Sequence, residues 1–248
     1  MAIGTPKSYT DNFFDYHLQE STRSAKEVIP LILKYITPST VIDIGCGVGT
    51  WLAVWKGMGV KIIGVDGLYI RENELLIDSK EFIASDLDNG IEIDKAFDLV
   101  TCLEVAEHIK PESADNFIST LCQLGDIILF SAAIPGQEGT LHINEQYPAY
   151  WIKKFAENNF APFDCIREKI WNNKNISWWY RQNIMFYVKN DAIDKYPMIK
   201  AEYKEVLPLV HPELFDYKTN KANTFEVSLK NPYSAFKHFV RKYLRSRT

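Results

Sequence analysis

Three aspartates and a glycine-rich turn are the residues whose types and spacing indicate binding chemistry. The segment VIDIGCGVGT places Asp43 at the end of a β-branched run, followed by Gly45 and Gly47. Glycine lets the backbone approach a ligand closely because it has no Cβ. Asp66 and Asp86 each follow a later apolar run. Carboxylates accept hydrogen bonds from ribose hydroxyls and amino groups, so the pattern predicts a crevice for a ligand that carries a ribose.

The form of the turn limits which ligands can bind there. The turn reads GxGxG, and Thr50 stands where the dinucleotide fingerprint GxGxxG has its third glycine. Few basic or hydroxyl groups flank the turn to meet a phosphate. A ribose without a pyrophosphate therefore fits better, which favours S-adenosylmethionine over NAD. The alternative is a turn that only packs a helix on a strand.

Two histidines are candidates for a catalytic base. His108 follows the fourth strand-like run in EVAEHI, and His142 lies in the long polar segment PGQEGTLHINEQ. A neutral imidazole can take the proton of a hydroxyl near neutral pH. The alternatives are that His108 caps the next helix and that His142 is an exposed loop residue. No compact ligand cluster is visible in the sequence, so we expect no metal.

Strand-like and helical runs alternate along the first two thirds of the chain. The strand-like runs are 41–44, 61–65, 81–84, 97–103 and 126–131, and helical runs are 12–35, 50–56, 72–76, 111–123 and 148–160. Two late runs, 163–171 and 182–188, have no helix predicted between them and should pair as a hairpin. We therefore predict an α/β fold, with a doubly wound, mostly parallel seven-stranded sheet and an antiparallel C-terminal hairpin.

The pattern divides the chain into a domain at 1–189 and an extension at 190–248. Residues 1–37 form a helical cover of the domain, from which Tyr16, Gln19 and Ser24 are candidates to reach the ligand. The last twenty-odd residues are basic and amphipathic. They predict a surface helix or, as the alternative, a peripheral contact with an anionic membrane or an acidic protein.

Composition excludes several classes of protein. The 248 residues carry a net charge of −4, so no basic field favours nucleic acid. The four cysteines are scattered without a CxxC pair, and no apolar run approaches the length of a bilayer span. We expect reduced thiols, no secretion signal and a cytoplasmic location.

Four motifs in order carry a resemblance to a known family. DIGCGVGTW, GVDG, SDLDNG and FDLVTCLEVAEHI resemble the motif series of class I S-adenosylmethionine-dependent methyltransferases over about residues 38–135. The continuation FSAAIPGQEGTLHINEQYPAYWIKKF and WNNKNISWWYRQNIMFYV resembles a narrower bacterial group associated with surface polysaccharide and sugar modification. It extends the resemblance to about Val188.

The resemblance implies a role for each matching position. The cofactor is S-adenosyl-L-methionine, and its product is S-adenosyl-L-homocysteine. The residues implied to bind the cofactor are Asp43, Gly45, Cys46, Gly47, Asp66, Gly67, Leu68, Asp86, Leu87, Leu103 and Glu104. In this scheme Asp66 holds the ribose, Asp86 the adenine amino group, and Asp43 and Glu104 the methionine end.

Polar and aromatic residues near the two histidines are candidates for binding an acceptor. They are Gln137, Asn144, Glu145, Trp179 and Arg181. Glu145 has the alternative of capping the helix that follows, and the tryptophan cluster has the alternative of belonging to the core.

We therefore predict an O-methyltransferase that acts on a hydroxyl of a small polar acceptor, with His108 or His142 as the base. A nucleotide-linked hexose or heptose for a capsule or surface polysaccharide is the first choice of acceptor. The alternatives are a methyltransferase for another small metabolite, on an amine or a phosphate-derived oxygen, and a non-catalytic S-adenosylmethionine-binding module.

Overall fold

The computed structural model describes the backbone of residues 11–230 and the side chains of residues 18–222. Two compact units are present, and the boundary between them falls between Leu209 and Val210, later than the boundary expected at 189/190. The second unit contains one long helix, Pro212–Lys230. Most of the predicted basic C-terminal helix lies outside the described residues, so its membrane or protein contact stays a prediction.

The first unit is built on one seven-stranded sheet, as the alternating runs predict. Its strands are β1 (Thr40–Ile44), β2 (Lys61–Asp66), β3 (Phe82–Ala84), β4 (Leu99–Leu103), β5 (Ile127–Ser131), β6 (Phe160–Phe163) and β7 (Met185–Lys189). The order across the sheet is β3-β2-β1-β4-β5-β7-β6. Strands β1 to β5 run parallel, and β7 is antiparallel to both β5 and β6. The predicted fold class is confirmed.

Helices connect the strands and cover the sheet. They are α1 (Asp11–Ile32), α2 (Thr50–Gly57), α3 (Ala114–Gln123), α4 (Pro148–Glu157), α5 (Arg167–Ile170), α6 (Trp178–Asn183) and α7 (Pro197–Ala201), with α8 (Pro212–Lys230) in the second unit. The run at 72–76 is shorter than predicted and forms one 3₁₀ turn, Glu72–Glu74. Within residues 11–230, no helix combines the length and the apolar character needed to cross a bilayer.

The connection before the last strand differs from the sequence-based expectation. The pair β6–β7 exists, but most of the run 163–171 is not a strand, and two short helices, α5 and α6, lie between the partners. A buried ion pair accounts for part of this path. The Arg167 guanidinium donates to Asp164 Oδ2 at 2.7 Å and to the carbonyl oxygen of Gln182 at 3.1 Å. These contacts hold the chain in a folded connection that an apolar pattern alone does not reveal.

Alternating side chains of the strands fill two cores, one on each face of the sheet. Val41 packs in the core under α1 and α2 with Trp55, whereas its neighbour Ile42 packs in the other core with Phe117 of α3. Covered faces on both sides explain why the central strands read as nearly continuous apolar runs. The strand order reverses between β1 and β4, and the crevice beyond their carboxyl ends is where such sheets bind ligands.

A close contact between two loops shapes that crevice. Gly45 has φ +80°, and a Cβ added there would lie 2.3 Å from Val105 Cγ2 and 2.6 Å from its Cγ1. Val105 is itself buried in the loop after β4. The loop after β1 therefore reaches the loop after β4 only because residue 45 has no side chain.

Replacing Gly45 by alanine tests this contact. We expect Gly45→Ala to lower the free energy of unfolding by about 2–4 kcal/mol, from left-handed backbone strain and overpacking together. Gly47→Ala is the matched control, because nothing lies within 4 Å of its added Cβ, and strain alone should act. Urea unfolding measures both, and the Gly45→Ala loss should shrink in a Val105→Ala background. Equal losses for the two alanine variants would contradict the contact.

Candidate active site

Asp66 ties together the first two loops at the carboxyl edge of the sheet. The amide of Gly47 donates to Asp66 Oδ2 at 2.6 Å, and the amide of Gly67 donates to Oδ1 at 2.6 Å. The Asp66 side chain is buried at the end of β2. These two bonds fix the carboxylate and leave lone pairs on both oxygens for further donors.

Tyr69 is one further donor, and the sequence analysis did not single it out. Its hydroxyl donates to Asp66 Oδ1. The ring lies against Gly67, where an added Cβ would be 2.2 Å from Tyr69 Cε1. Leu68 and Tyr69 are both largely exposed. The sequence did contain a signal for Tyr69, because it is an aromatic residue three positions after Asp66, the acid that ends β2.

Gly47 provides the room that a ligand needs. It has φ +55°, and no atom of the described residues lies within 4 Å of the position that its Cβ would occupy. The neighbouring Cys46 is buried, and burial raises the pKa of its thiol, so it acts as a small apolar side chain. The glycine turn and Asp66 together form an open cradle lined by backbone amides and a carboxylate.

Asp43 lies deeper than Asp66, at the end of β1. Thr101 Oγ1 donates to Asp43 Oδ1 at 2.6 Å. Burial raises the pKa of Asp43 to about 7; the Thr101 hydrogen bond opposes that shift, and the nearby Asp66 charge adds to it.

Asp86 and Leu87 follow β3. Asp86 is exposed and accepts from the amide of Asp88 at 3.1 Å and from Asn89 Nδ2 at 2.7 Å. It thereby begins the short 3₁₀ turn Leu87–Asn89, and Leu87 is half-buried against the core. The adenine role of Asp86 stays a prediction.

A polar network surrounds Glu104, which follows Leu103 at the end of β4. Gln137 Nε2 donates to Glu104 Oε2 at 2.6 Å, and Asn183 Nδ2 donates to Oε1 at 3.0 Å. Asn183 also donates to Gln137 Oε1 at 3.0 Å. Burial raises the pKa of Glu104, and the two amide donors oppose that shift. Glu104 has φ +56°, so its backbone turns sharply towards these partners. Sequence analysis did not identify Asn183, because its contact with Glu104 joins residues that are far apart in the chain.

The two histidines lie side by side, although they come from different loops. Their ring centroids are 4.9 Å apart at an interplanar angle of 85°. His142 Nδ1 lies 2.8 Å from Glu145 Oε1, and His108 Nδ1 lies 3.2 Å from the carbonyl oxygen of Leu141. The pKa of His108 is lowered, first by desolvation and then by His142.

Glu145 organises the loop that carries His142. Its Oε2 accepts from the amide of Gly136 and its Oε1 from the amide of Glu138, each at 2.7 Å. The helix-capping alternative for Glu145 is therefore not what the structure shows, since its oxygens face the loop and His142. A groove of about 360 Å³ opens beside them, lined by Glu138, Gly139, His142, Ile143 and Glu145.

The remaining predicted acceptor residues are less accessible. Asn144 is buried and accepts from Gln146 Nε2 at 3.0 Å. Arg181 is buried and donates to the carbonyl oxygen of Trp171 at 3.0 Å. Trp179 is half-buried and packs edge-to-face on Trp178. Nothing in these contacts links the three residues to a ligand, and their acceptor roles stay predictions.

The predicted N-terminal cover packs beside the glycine turn. Ser21 Oγ of α1 lies 2.8 Å from Thr50 Oγ1, and Ser24 Oγ accepts from the amide of Ser177 at 3.0 Å. Gln19 is exposed, and Tyr16 lies outside the residues whose side chains are described. The middle of α1 is thus joined to the first residue of α2 next to the crevice.

A larger cavity lies at the opposite ends of the strands. It measures about 680 Å³ and is lined in part by Phe97 and Asp98 before β4 and by Asp126 before β5. These are the amino ends of the strands, whereas parallel sheets bind ligands at the carboxyl ends. The crevice at Asp66 and the groove at His142 therefore remain the candidate site.

A family model described as a methyltransferase domain matches residues 14–166 of the chain. The chain belongs to this family. The match covers the crevice, Asp66, Glu104 and both histidines. It confirms the predicted methyltransferase family, whereas the narrower resemblance to surface-polysaccharide enzymes stays a prediction.

Relatives and solved structures agree with the family. Ubiquinone biosynthesis O-methyltransferases from Rickettsia typhi and Stutzerimonas stutzeri are 32% and 34% identical over 106 and 101 residues, which is 39% and 37% of this chain. The matches cover 41% and 43% of those proteins, so the chain spans about two-fifths of the length of these curated relatives. A magnesium protoporphyrin IX methyltransferase from Synechocystis, crystallised with bound S-adenosylmethionine, shares the fold at a TM-score of 0.53. It is 20% identical, covering 75% of this chain and 86% of that one.

The residues of this methyltransferase domain fit the predicted cofactor. The open space over Gly47 is a cradle that a Cβ would enter, and the adjacent Asp66 carboxylate is preset by two amides. Adenosine needs such an acceptor for its ribose and apolar contacts for its base; Leu68 lies two positions after Asp66, and Leu87 directly follows Asp86.

The raised pKa of Asp43 predicts a pH-dependent stability. The unfolded chain releases this proton at about pH 4, whereas the folded domain holds it to about pH 7. The folded state therefore binds more protons in this window, and stability should fall as pH rises from about 4 to 7, by up to about 4 kcal/mol.

Asp43→Asn isolates this effect, because asparagine keeps an oxygen for Thr101 and removes the ionisation. Urea unfolding at several pH values should show a smaller fall for the variant than for the wild-type domain. Identical pH profiles would mean that Asp43 titrates normally in the folded state.

Proposed function

We propose that this domain transfers a methyl group from S-adenosylmethionine to a hydroxyl oxygen of a small acceptor. The observation that carries the proposal is the His142–Glu145 pair, which lines a groove. The groove lies at the carboxyl ends of the strands, where the cradle formed by the glycine turn and Asp66 also lies. A hydroxyl becomes a good nucleophile only as its proton leaves, so a positioned base has a clear use there.

S-adenosylmethionine supplies a methyl carbon bonded to a sulfonium, which departs as a neutral thioether. Asp66 would accept the ribose hydroxyls, and Asp86 the adenine amino group. The turn at Gly45, Cys46 and Gly47, with Asp43 behind it, would hold the methionine end. Leu103 and Glu104 lie at the end of β4, where the methionine amino group would meet them.

His142 is oriented for proton transfer. An ionised carboxylate only accepts hydrogen bonds, so the contact with Glu145 places the proton of neutral His142 on Nδ1. The lone pair of Nε2 is then available to a hydroxyl. His108 is held in the same tautomer, because the carbonyl oxygen of Leu141 also only accepts. Fixed tautomers avoid the rearrangement that a free imidazole would need.

Two acceptor classes follow from different observations. The resemblance of the loop sequence favours a hydroxyl of a nucleotide-linked hexose or heptose, of the kind used for surface polysaccharides. Gln137 and Asn144 are buried, however, and three large apolar side chains of the loop, Leu141, Ile143 and Tyr147, are exposed alongside the polar Glu138 and Thr140. An apolar rim and the names of the matched relatives favour a phenolic hydroxyl as the second candidate. Transfer to an amine or a phosphate-derived oxygen, or binding without turnover, would make the base unnecessary.

Tyr69 is expected to compete with the cofactor for Asp66. Three of about four acceptor positions on the carboxylate are already used, so two ribose hydroxyls require the Tyr69 hydroxyl to leave. We expect Tyr69→Phe to bind S-adenosylhomocysteine about 3- to 10-fold more tightly, since a bond to a charged acceptor need not be broken. Calorimetric titration measures this, with Tyr147→Phe as the exposed control. A weaker affinity would instead make Tyr69 a contact of the bound nucleoside.

Labelled methyl transfer tests the function. The domain is incubated with S-adenosylmethionine carrying a labelled methyl group and with sugar nucleotides, catechols or amines. Product on a sugar or phenol hydroxyl is expected, and His142→Asn should lower kcat by about 10²–10⁴-fold with unchanged cofactor affinity.

Glu112→Gln, an exposed carboxylate that does not line the groove, is the control and should leave kcat unchanged. Methylation of amines alone would overturn the hydroxyl assignment, and full turnover by the His108→Asn, His142→Asn double variant would overturn the histidine base. Cofactor binding without transfer to any acceptor would favour the non-catalytic alternative.

A further inference from the structure

Glu107 is a buried acid that the mechanism above does not use. Its side chain is 1% exposed, and neither carboxylate oxygen has a hydrogen-bond partner among the described residues. The amides of Glu107 and Ala133 lie near it without reaching hydrogen-bonding geometry. An ionised carboxylate without donors is costly in a protein interior unless a proton or a cation compensates it.

The backbone of Glu107 fixes the place of the histidine loop. Its carbonyl oxygen accepts from the amides of Ile143 and Asn144, each at 2.9 Å. The loop that carries His142 is thereby attached to the 3₁₀ turn Ala106–His108. As a result, His142 Nε2 lies 3.9 Å from Glu107 Oε1.

Both imidazoles present a free Nε2 lone pair at this point. Nδ1 of His142 faces Glu145, and Nδ1 of His108 faces the carbonyl oxygen of Leu141. Ligand atoms of Glu107, His108 and His142 all lie within 4.8 Å of one another. Histidines that bind a metal usually donate their other ring nitrogen to a carboxylate or a carbonyl, as these two do.

We propose that Glu107, His108 and His142 form a binding site for one divalent transition-metal ion such as Zn²⁺ or Co²⁺. Two imidazoles and one carboxylate suit these ions better than Mg²⁺ or Ca²⁺, which prefer oxygen ligands. The ion neutralises the buried Glu107, and Glu145 orients His142 from behind. The proposal differs from the sequence-based expectation of no metal. The cluster is not visible in the sequence, because only Glu107 and His108 are adjacent in the chain and His142 lies in a distant loop.

The site also has room for an acceptor. His142 and Glu145 line the groove of about 360 Å³, so a coordination position not filled by the protein would face it. With the ion bound, the Nε2 lone pair of His142 is a ligand and not the base; a hydroxyl coordinated beside it would instead lose its proton to water, because the cation stabilises the alkoxide. This role rests on the proposed function, whereas the metal site itself does not.

Cobalt and zinc titrations test the site directly. Tag-free protein is stripped with a chelator and titrated with Co²⁺, read by visible absorption, and with Zn²⁺, read by calorimetry and thermal unfolding. We expect one ion per chain, a rise in Tm, and visible Co²⁺ bands typical of nitrogen and oxygen ligands. A wild-type protein that binds neither ion, or bands typical of thiolate ligands, would overturn the proposal.

Single substitutions separate ligation from folding. Glu107→Gln keeps the shape and the backbone bonds, and His142→Asn removes a ligand; each should weaken Zn²⁺ binding at least about 100-fold. Glu145→Gln should weaken it about 10- to 100-fold, as loss of an orienting partner does. Glu112→Gln, an exposed neighbouring acid, should change nothing. If Glu107→Gln binds Zn²⁺ like the wild type, Glu107 is not a ligand and the site is wrong.

The two proposals fail in different ways. If the chelator-treated protein binds S-adenosylhomocysteine and methylates a hydroxyl at the full rate, and Zn²⁺ does not bind, the metal site is overturned and the function stands. If Zn²⁺ binds through Glu107 and both histidines but no cofactor or methyl transfer is detected, the metal site stands and the function falls.

Discussion

The arrangement of the site depends on how one buried carboxylate is held. Asp66 accepts from the amides of Gly47 and Gly67, and so joins the loop after β1 to the loop after β2. Because both donors are backbone groups, the carboxylate is fixed before any ligand arrives. The turn can approach it only with glycine at 45 and 47, where the backbone has positive φ angles. Loss of this connection would release the loop after β1 from the loop after β2.

Two loops that extend from rigid strands supply the acidic and histidine side chains of the site. The loop after β4 supplies Glu104, Glu107 and His108, and the loop after β5 supplies His142 and Glu145. Two backbone hydrogen bonds to the carbonyl oxygen of Glu107 join these loops, and the Glu104–Gln137 contact joins them again. The buried strands thereby hold the loops that carry the functional groups, which is the usual division between a rigid scaffold and functional loops.

The sequence predicts the scaffold well because its signals are local. Hydrophobic periodicity and the acids at strand ends are read from adjacent residues. They predict β1 to β5, and they put Asp43 and Asp66 at the carboxyl ends of β1 and β2. The connection at 164–183 could not be read in this way, because a buried Arg167–Asp164 pair and not an apolar period decides its path. Asn183 and the His108–His142 contact were also hidden, since they depend on which loops the sheet order brings together. Glu107 stands beside His108 in the sequence, but only the structure shows that its carboxylate is buried without a hydrogen-bond partner among the described residues.

The central claim is that the crevice at Asp66 holds an adenosine group, and one calorimetric titration tests it most directly. Wild-type protein and Asp66→Asn, each shown to be folded by circular dichroism, are titrated with S-adenosylhomocysteine. The account predicts one site per chain in the wild type and at least about 10-fold weaker binding in the variant, because an amide cannot accept two ribose hydroxyls as a carboxylate does. No binding to the folded wild type, or equal affinity in both proteins, would contradict it.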